Sequence, residues 1–183
     1  MLDKITEALE DNLSTAVLLI DLSKAFDSLD HSILLAKLEH YGIRGTPQTL
    51  FKNYLKNRSQ YVSYNNTSSH YSIIKTGVPQ GSILGPLLFL LYINDIHHPS
   101  SLCSFFLFAD DTTVLGSDKN PETLSLNMNN EITHLDKWFK ANKLSLNREK
   151  TKYIVFTGNG KKETGKNLIN LINEKKISLM ELL

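Results

Sequence analysis

The stretch whose reading decides the fold is Phe105–Leu115, FFLFADDTTVL. Two acids, Asp110 and Asp111, stand side by side between two apolar, β-prone runs. Such runs on either side of a short polar break predict a hairpin of the core. Carboxylates are costly at the tip of a core hairpin unless they are paired or bind a cation. Adjacent aspartates are also common in ordinary turns, because Asp tolerates turn geometry. The rest of the chain has to decide between the two.

Upstream, TAVLLID (15–21) is a short apolar run ending on an acid, which predicts a buried strand. A short helix is expected over 3–13. DHSILLAKLEHYG (30–42) carries an apolar stripe of Ile33, Leu34 and Leu38, with Asp30 as N-cap and Gly42 as stop. TPQTLFKNYLKNR (46–58) repeats the signal, with Thr46 as cap and Pro47 at the first helical position. Residues 60–78 read as two strands around an Asn-rich turn, PQGSIL (79–84) as a loop, and Pro86 as the opening of an apolar helix. Downstream of the hairpin, residues 120–143 form a long amphipathic helix capped by Asn120, with Trp138 in its core face. A strand follows at 151–158. Strands mixed with helices, with hairpins present, predict an α+β fold with a small, largely antiparallel sheet.

Composition narrows the function. At 183 residues with 41% hydrophobic residues, the chain fits one domain with a real core. Its 20 basic and 19 acidic residues leave a formal charge of +1, so any nucleic-acid binding must rest on local patches. The single cysteine, Cys103, excludes a disulfide framework or a cysteine-based zinc site within one chain. The longest apolar run, Leu87–Ile93, is far too short to span a membrane. The polar N-terminus lacks the layout of a signal peptide.

Three segments carry chemistry together. LLIDLSKAFDSLDH puts Asp21 at a strand end, with Phe26 five residues on. GVPQGSILGPLLFLLYIND places glycines at 77, 81 and 85, where another backbone or a ligand can approach, and Gln80, which can hydrogen-bond without adding charge. FADD is the third. Two divalent ions about 3.5–4 Å apart need carboxylates converging from separate strands. Asp21 from one strand and Asp110 from a hairpin tip would supply them, and cations would neutralise the acids there. Asp27 and Asp30 read as a helix start, and His97, His98 and Cys103 as a solvated helix end rather than a metal site.

In this order and spacing, LIDLSKAFDSLDH, GVPQGSILGPLLFLLYINDI and FADDTTVL resemble the palm of reverse transcriptases from non-LTR, LINE-like retrotransposons, notably the jockey-like group. WFKANKLSLNREKTKYIVF resembles the segment that follows, and the resemblance covers roughly residues 10–157. It implies a right-hand polymerase palm with helices packed on one face of its sheet, RNA-templated DNA synthesis from dNTPs on a DNA primer, and two Mg²⁺ or Mn²⁺ ions. By resemblance, Asp21 and Asp110 hold the metals, the Leu22 carbonyl is a further ligand, and Asp111 acts electrostatically more than by coordination. Phe26 is the steric gate under the incoming sugar, and Pro79, Gln80 and Gly81 line the nucleotide and template pocket. Lys150 is the candidate proton donor to the leaving pyrophosphate, with Lys143 and Lys152 close by. The expected division is a partial reverse transcriptase domain over 1–157 and a basic, polar tail over 158–183, whose lysines read as solvated.

The family's fingers, thumb and endonuclease are not matched here, so the resemblance implies a fragment. The competing reading is a catalytically inert remnant with at most weak nucleic-acid binding. The lifestyle of such elements implies an intracellular location, cytoplasmic or nuclear. The sequence does not fix an oligomeric state.

Overall fold

The computed structural model describes residues 1–98, 100 and 102–157; the expected tail at 158–183 lies outside them. In chain order the elements are α1 (Leu2–Glu10), β1 (Ser14–Ile20), a 3-10 turn (Ala25–Asp27), α2 (His31–His40) and α3 (Thr46–Leu55). Four two-residue strands follow: β2 (Ser59–Gln60), β3 (Ser63–Tyr64), β4 (Thr67–Ser68) and β5 (Ser72–Ile73). Then come α4 (Leu84–Ile93), β6 (Ser104–Phe108), β7 (Asp111–Asp118), α5 (Pro121–Ala141) and β8 (Lys152–Phe156). The α+β expectation holds. The chain divides into two compact units: Met1–Ser23 with Ile96–Ala141 and Ser145 onward, and Lys24–Asp95 with Asn142–Leu144.

The first unit is an antiparallel sheet in the order β6-β7-β1-β8. β1 is almost wholly buried. Its near-continuous apolar run has a cause, because both of its faces are covered. Leu18 and Ile20 point to the face lined by Ile132, Leu135 and Phe139 of α5. Val17 and Leu19 point the other way, into a cluster with Ile5 and Leu9 of α1, Phe106 and Leu115. Helices therefore lie on both faces, which amends the expected one-sided layering. The α1 signal, short and weakly apolar, did not reveal that its Ile5 and Ala8 would be buried.

α5 begins as the sequence implies. The Asn120 side-chain oxygen accepts a hydrogen bond from the Glu122 N–H at 2.8 Å, and Pro121 follows the cap. Leu124, Met128, Ile132, Leu135 and Phe139 are buried at helical spacing, with Trp138 beside them. Gly116 on β7 lets this helix come close, since a Cβ there would lie 2.8 Å from the Met128 sulfur.

The second unit holds α2, α3, the short strands and α4. Leu34, Leu38, Leu88, Phe89 and Tyr92 are fully buried in it. Asp30 caps α2 by accepting from the Ser32 and Ile33 N–H groups, and Gly42 stops the helix region with φ +87°. The N-cap of α3 is Gly45 rather than Thr46, which is the first helical residue. α4 starts at Leu84, ahead of the expected Pro86. Residues 59–73 form two nested antiparallel pairs, β2 with β5 and β3 with β4, closed by Asn65 and Asn66 at positive φ. Asp95, at the end of α4, pairs with Lys37 of α2.

Candidate active site

The carboxylates belong to the first unit, and strand register sets their places. β6 and β7 close through the pair Phe108↔Asp111, leaving Ala109 and Asp110 as a two-residue loop. β1 pairs with β7 as far as Ile20↔Thr112. Asp21 is the next residue beyond that last pair. The Asp21 N–H donates to Thr151 Oγ1 at 3.3 Å, and its carbonyl accepts from the Asn147 N–H at 2.9 Å. Both bonds run to the β8 side. Continued by one step, the β1–β7 register would set Asp21 across from Asp111 with both side chains on one face.

That face is the one α1 covers further back, at Val17 and Leu115. At the hairpin end it opens. Phe108, across from Asp111, is 82% exposed, and Asp111 is exposed while Asp21 and Asp110 are half-buried. Among the described residues the three carboxylates make no ion pair with a lysine or arginine. Acids so placed could be neutralised by a divalent cation.

The Leu22 carbonyl fits that need. In the bridge Leu22↔Leu146 the hydrogen bonds are made by its neighbours, Asp21 carbonyl to Asn147 and Ser23 N–H to Ser145. Alternation along a strand then points the Leu22 carbonyl the opposite way, to the β7 side. Among the described residues no three His, Cys, Asp or Glu side chains gather on one metal-sized point. Asp21, Asp110 and the Leu22 carbonyl offer an oxygen donor set that could hold a hard ion. It suits an ion such as Mg²⁺, which keeps waters and substrate phosphates in its remaining positions.

Lys150 is exposed on the turn that runs from Asn147 to Thr151, where the Thr151 N–H donates to the Asn147 carbonyl at 2.9 Å. That turn is the one clamped to the Asp21 backbone. Asn147 and Thr151 hold the strand end in place, and sequence reasoning passed over both. Asn followed four residues later by Thr, just before a strand, was the available sign. Lys152 pairs across from Leu19, and Lys143 is engaged with Asp30 in the second unit.

The expected substrate residues fall in the second unit. Phe26, Pro79, Gln80 and Gly81 line one pocket of about 360 Å³, so the structure brings these four together. The Phe26 ring lies 4.9 Å from that of Phe89 on α4. The loop carrying Pro79 and Gln80 is stitched to the turn that carries Phe26. The Gly77 N–H donates to the Leu29 carbonyl at 2.7 Å, the Val78 N–H to the Phe26 carbonyl at 2.9 Å, and Gln80 Nε2 to Asp27 Oδ1 at 3.0 Å. Gly77 is required here. Its φ is +84°, and a Cβ would meet the Asp27 backbone at 2.7 Å.

The nucleophile-bearing possibilities elsewhere are weak. Burial raises the Cys103 thiol to about 11, with the Glu131 carboxylate adding to the effect, so no reactive thiolate forms. No helix among the described residues is long and apolar enough to cross a membrane.

Residues 2–177 match the family model for reverse transcriptase (RNA-dependent DNA polymerase). The chain is 29% identical over 166 residues to the probable RNA-directed DNA polymerase from transposon BS of Drosophila melanogaster, covering 84% of this chain and 18% of that protein. It is 29% identical over 160 residues to the RNA-directed DNA polymerase from mobile element jockey of the same species, covering 82% and 17%. The chain thus spans less than a fifth of the length of these curated relatives. Among solved structures, telomerase from Candida tropicalis with a TWJ fragment of telomeric RNA superposes with a TM-score of 0.65 at 11% identity, over 84% of this chain and 28% of that one. At that identity the likeness is one of fold.

Proposed function

The chain belongs to the reverse transcriptase family, and from that premise we propose that it is the palm portion of an RNA-directed DNA polymerase of a non-LTR retrotransposon, extending a DNA primer on an RNA template. The observation that carries the reading is the end of the first unit's sheet. Asp21 directly follows the last β1–β7 pair, Ile20↔Thr112, Asp111 closes the hairpin with Asp110 on its loop, and among the described residues none of the three pairs with a lysine or arginine.

In the proposed reaction the primer 3′-oxygen forms a bond to the α-phosphorus of a dNTP. The bond from that phosphorus to the bridging oxygen breaks, and pyrophosphate leaves. Two divalent ions, when bound, supply charge neutralisation and activation of the attacking oxygen. Asp21 and Asp110 would hold them, with the Leu22 carbonyl as a further ligand. Asp111 adds negative potential to the same face. Lys150, on the turn pinned to Asp21, would give its proton to the leaving pyrophosphate. The Phe26 pocket would take the sugar, the ring excluding a 2′-hydroxyl.

The test is primer extension on an RNA template by a longer polypeptide carrying the segments that flank this region in its relatives. Asp110→Asn should lower extension about a hundredfold or more, because an ion worth several kcal/mol is lost. RNA binding should persist. Undiminished extension by Asp110→Asn would overturn the assignment, and a parent polypeptide that binds RNA without extending a primer would favour the inert remnant. Phosphoryl transfer depends on positioning of the whole substrate, so the 183-residue chain by itself should show no processive synthesis.

A further inference from the structure

Two sulfurs lie together in the first unit, where the polymerase reading has no use for them. The thiol of Cys103, the single cysteine of the chain, donates to the Met128 sulfur of α5 at 3.9 Å. Both lean over Gly116 of β7. A Cβ built there would lie 2.8 Å from the Met128 sulfur and 3.4 Å from the Cys103 sulfur. The missing side chain at 116 is what lets thiol and thioether approach each other under the helix. Met128 is 1% exposed, while Cys103 is half-buried and so gives the pair its way out to solvent.

A carboxylate stands beside them. Glu131 follows Met128 by three residues on α5, so the two share a helix face. Glu131 is 4% exposed, and its Oε1 is buried with no hydrogen-bond partner. Among the described residues it makes no ion pair with a lysine or arginine. Its charge nevertheless reaches Cys103, adding to burial in raising that thiol to about 11. A buried carboxylate with an unfilled acceptor is costly. Its field opposes a bare thiolate, and by the same sign it attracts a cation bound to that thiolate.

We propose that Cys103, Met128 and Glu131 form a site for a soft monovalent metal ion, Cu(I), with thiolate and thioether as its ligands and the Glu131 carboxylate as the countercharge beside it. An ion about 2.3 Å from each sulfur, an ordinary metal–thiolate length, spans the 3.9 Å pair at an angle of about 115°. Thiolate and thioether donors select Cu(I) over harder ions. Zn²⁺ takes Cys, His, Asp or Glu in sets of three or four, and no three of those gather among the described residues. Binding exchanges one ion for one proton. Cu(I) enters between the sulfurs, the thiol proton leaves to solvent, and the copper keeps its oxidation state. The empty site therefore holds a thiol and the filled one a thiolate. The filled site ties Cys103, just ahead of β6, to the middle of α5. The site stands on the first unit alone, whichever reaction the chain performs.

The test is titration of the full 183-residue chain with Cu(I), kept reduced by ascorbate, in competition with the coloured chelator bicinchoninate. The parent should take up one ion and melt at a higher temperature with it than without. X-ray absorption at the copper edge should show two sulfur neighbours. Cys103→Ser should abolish uptake. Met128→Leu conserves volume and should weaken binding about tenfold or more, the thioether being the second ligand. Glu131→Gln should weaken it about 10- to 100-fold, as loss of a group beside a metal does. Melts without copper show which variants fold, and Met128→Leu keeps the test decisive if another does not. The histidine pair His97 and His98, with rings 4.6 Å apart, is the competing copper ligand nearby in sequence. His97→Gln with His98→Gln should leave uptake unchanged. Uptake retained in Cys103→Ser, lost in the histidine variant, or unaltered in Met128→Leu would overturn the site. Displacement of Cu(I) by an equal concentration of Zn²⁺ would overturn the choice of ion. Primer extension plays no part in these readings, so they stand or fall apart from the polymerase reading.

Discussion

Phe26 has two neighbours to answer to. Its ring lies against Phe89, and it also lines the pocket with Pro79, Gln80 and Gly81. The packing contact predicts that Phe26→Val costs stability, about 1–3 kcal/mol for the lost ring volume. The gate role predicts something packing does not: a fall in the ratio of dNTP to rNTP incorporation in an active, longer polypeptide. Measuring that ratio beside the melting temperature separates them, since an unchanged ratio in a destabilised protein leaves Phe26 a core residue only. At this scale the sequence was most legible where cost and chemistry coincide. Asp21 and Asp110 stood out because carboxylates ending apolar runs need an explanation. Asn147 and Thr151 did not, because their bonds to the Asp21 backbone, one from the Thr151 hydroxyl, exist only once the strands have met.

Among the elements, the β6–β7 hairpin carries the sharpest constraint. Its loop residue Ala109 has φ +51°. That region is costly for a residue with a Cβ and much more so for a β-branched one. Ala109→Val should therefore lower stability by about 1–2 kcal/mol, while Ala109→Gly should leave it unchanged or slightly raised, because relief at φ > 0 offsets the added chain entropy. Thermal melts of the two variants check this; equal melting temperatures would mean the loop relaxes freely. The hairpin itself was plain in the sequence, as were the caps of α2 and α5, where Asp30 and Asn120 accept the expected N–H groups. The cap of α3 was misread because Gly45, at φ +66°, turns the chain one residue earlier than Thr46. The nested pairing at 59–73 was only half seen, since strands of two residues are too short to show alternation.

The chain as a whole passes from one unit to the other and back. Asn142–Leu144, directly after the last turn of α5, belongs with Lys24–Asp95. Within that unit the Asn142 carbonyl accepts from the Tyr92 hydroxyl at 2.7 Å, and Lys143 pairs with Asp30. Burial of the Tyr92 phenol raises it to about 12, so it stays a donor at any ordinary pH. The Asp30 carboxyl is held below its ordinary value first by the Lys143 hydrogen bond, with the Ile33 and Ser32 N–H groups assisting against a burial penalty. A carboxyl lowered by folding stabilises fully above its unfolded value, near 3.8 here, and loses that contribution as pH falls through the lowered folded value. Asp30→Asn should keep much of the cap yet flatten the stability profile below about pH 4. Urea titrations at pH 3 and pH 6 would show it; parallel profiles for parent and variant would contradict the pairing. The division into units was hidden from the sequence. The three residues that complete the second unit lie some fifty positions from the rest of it, and nothing local marks them.

Gly77 carries a consequence of another kind. It sits 2.7 Å from the Asp27 backbone for any Cβ, at a φ that side chains avoid. All four glycine codons share their first two bases, so any change at either base replaces the residue, while the third base drifts freely. Wherever the gene is copied, selection for a folded product should hold those two bases while the third drifts. A copy that still encodes glycine at 77 after its third base has been randomised has been kept by selection for a folded product. One that encodes anything else should give a product that folds poorly.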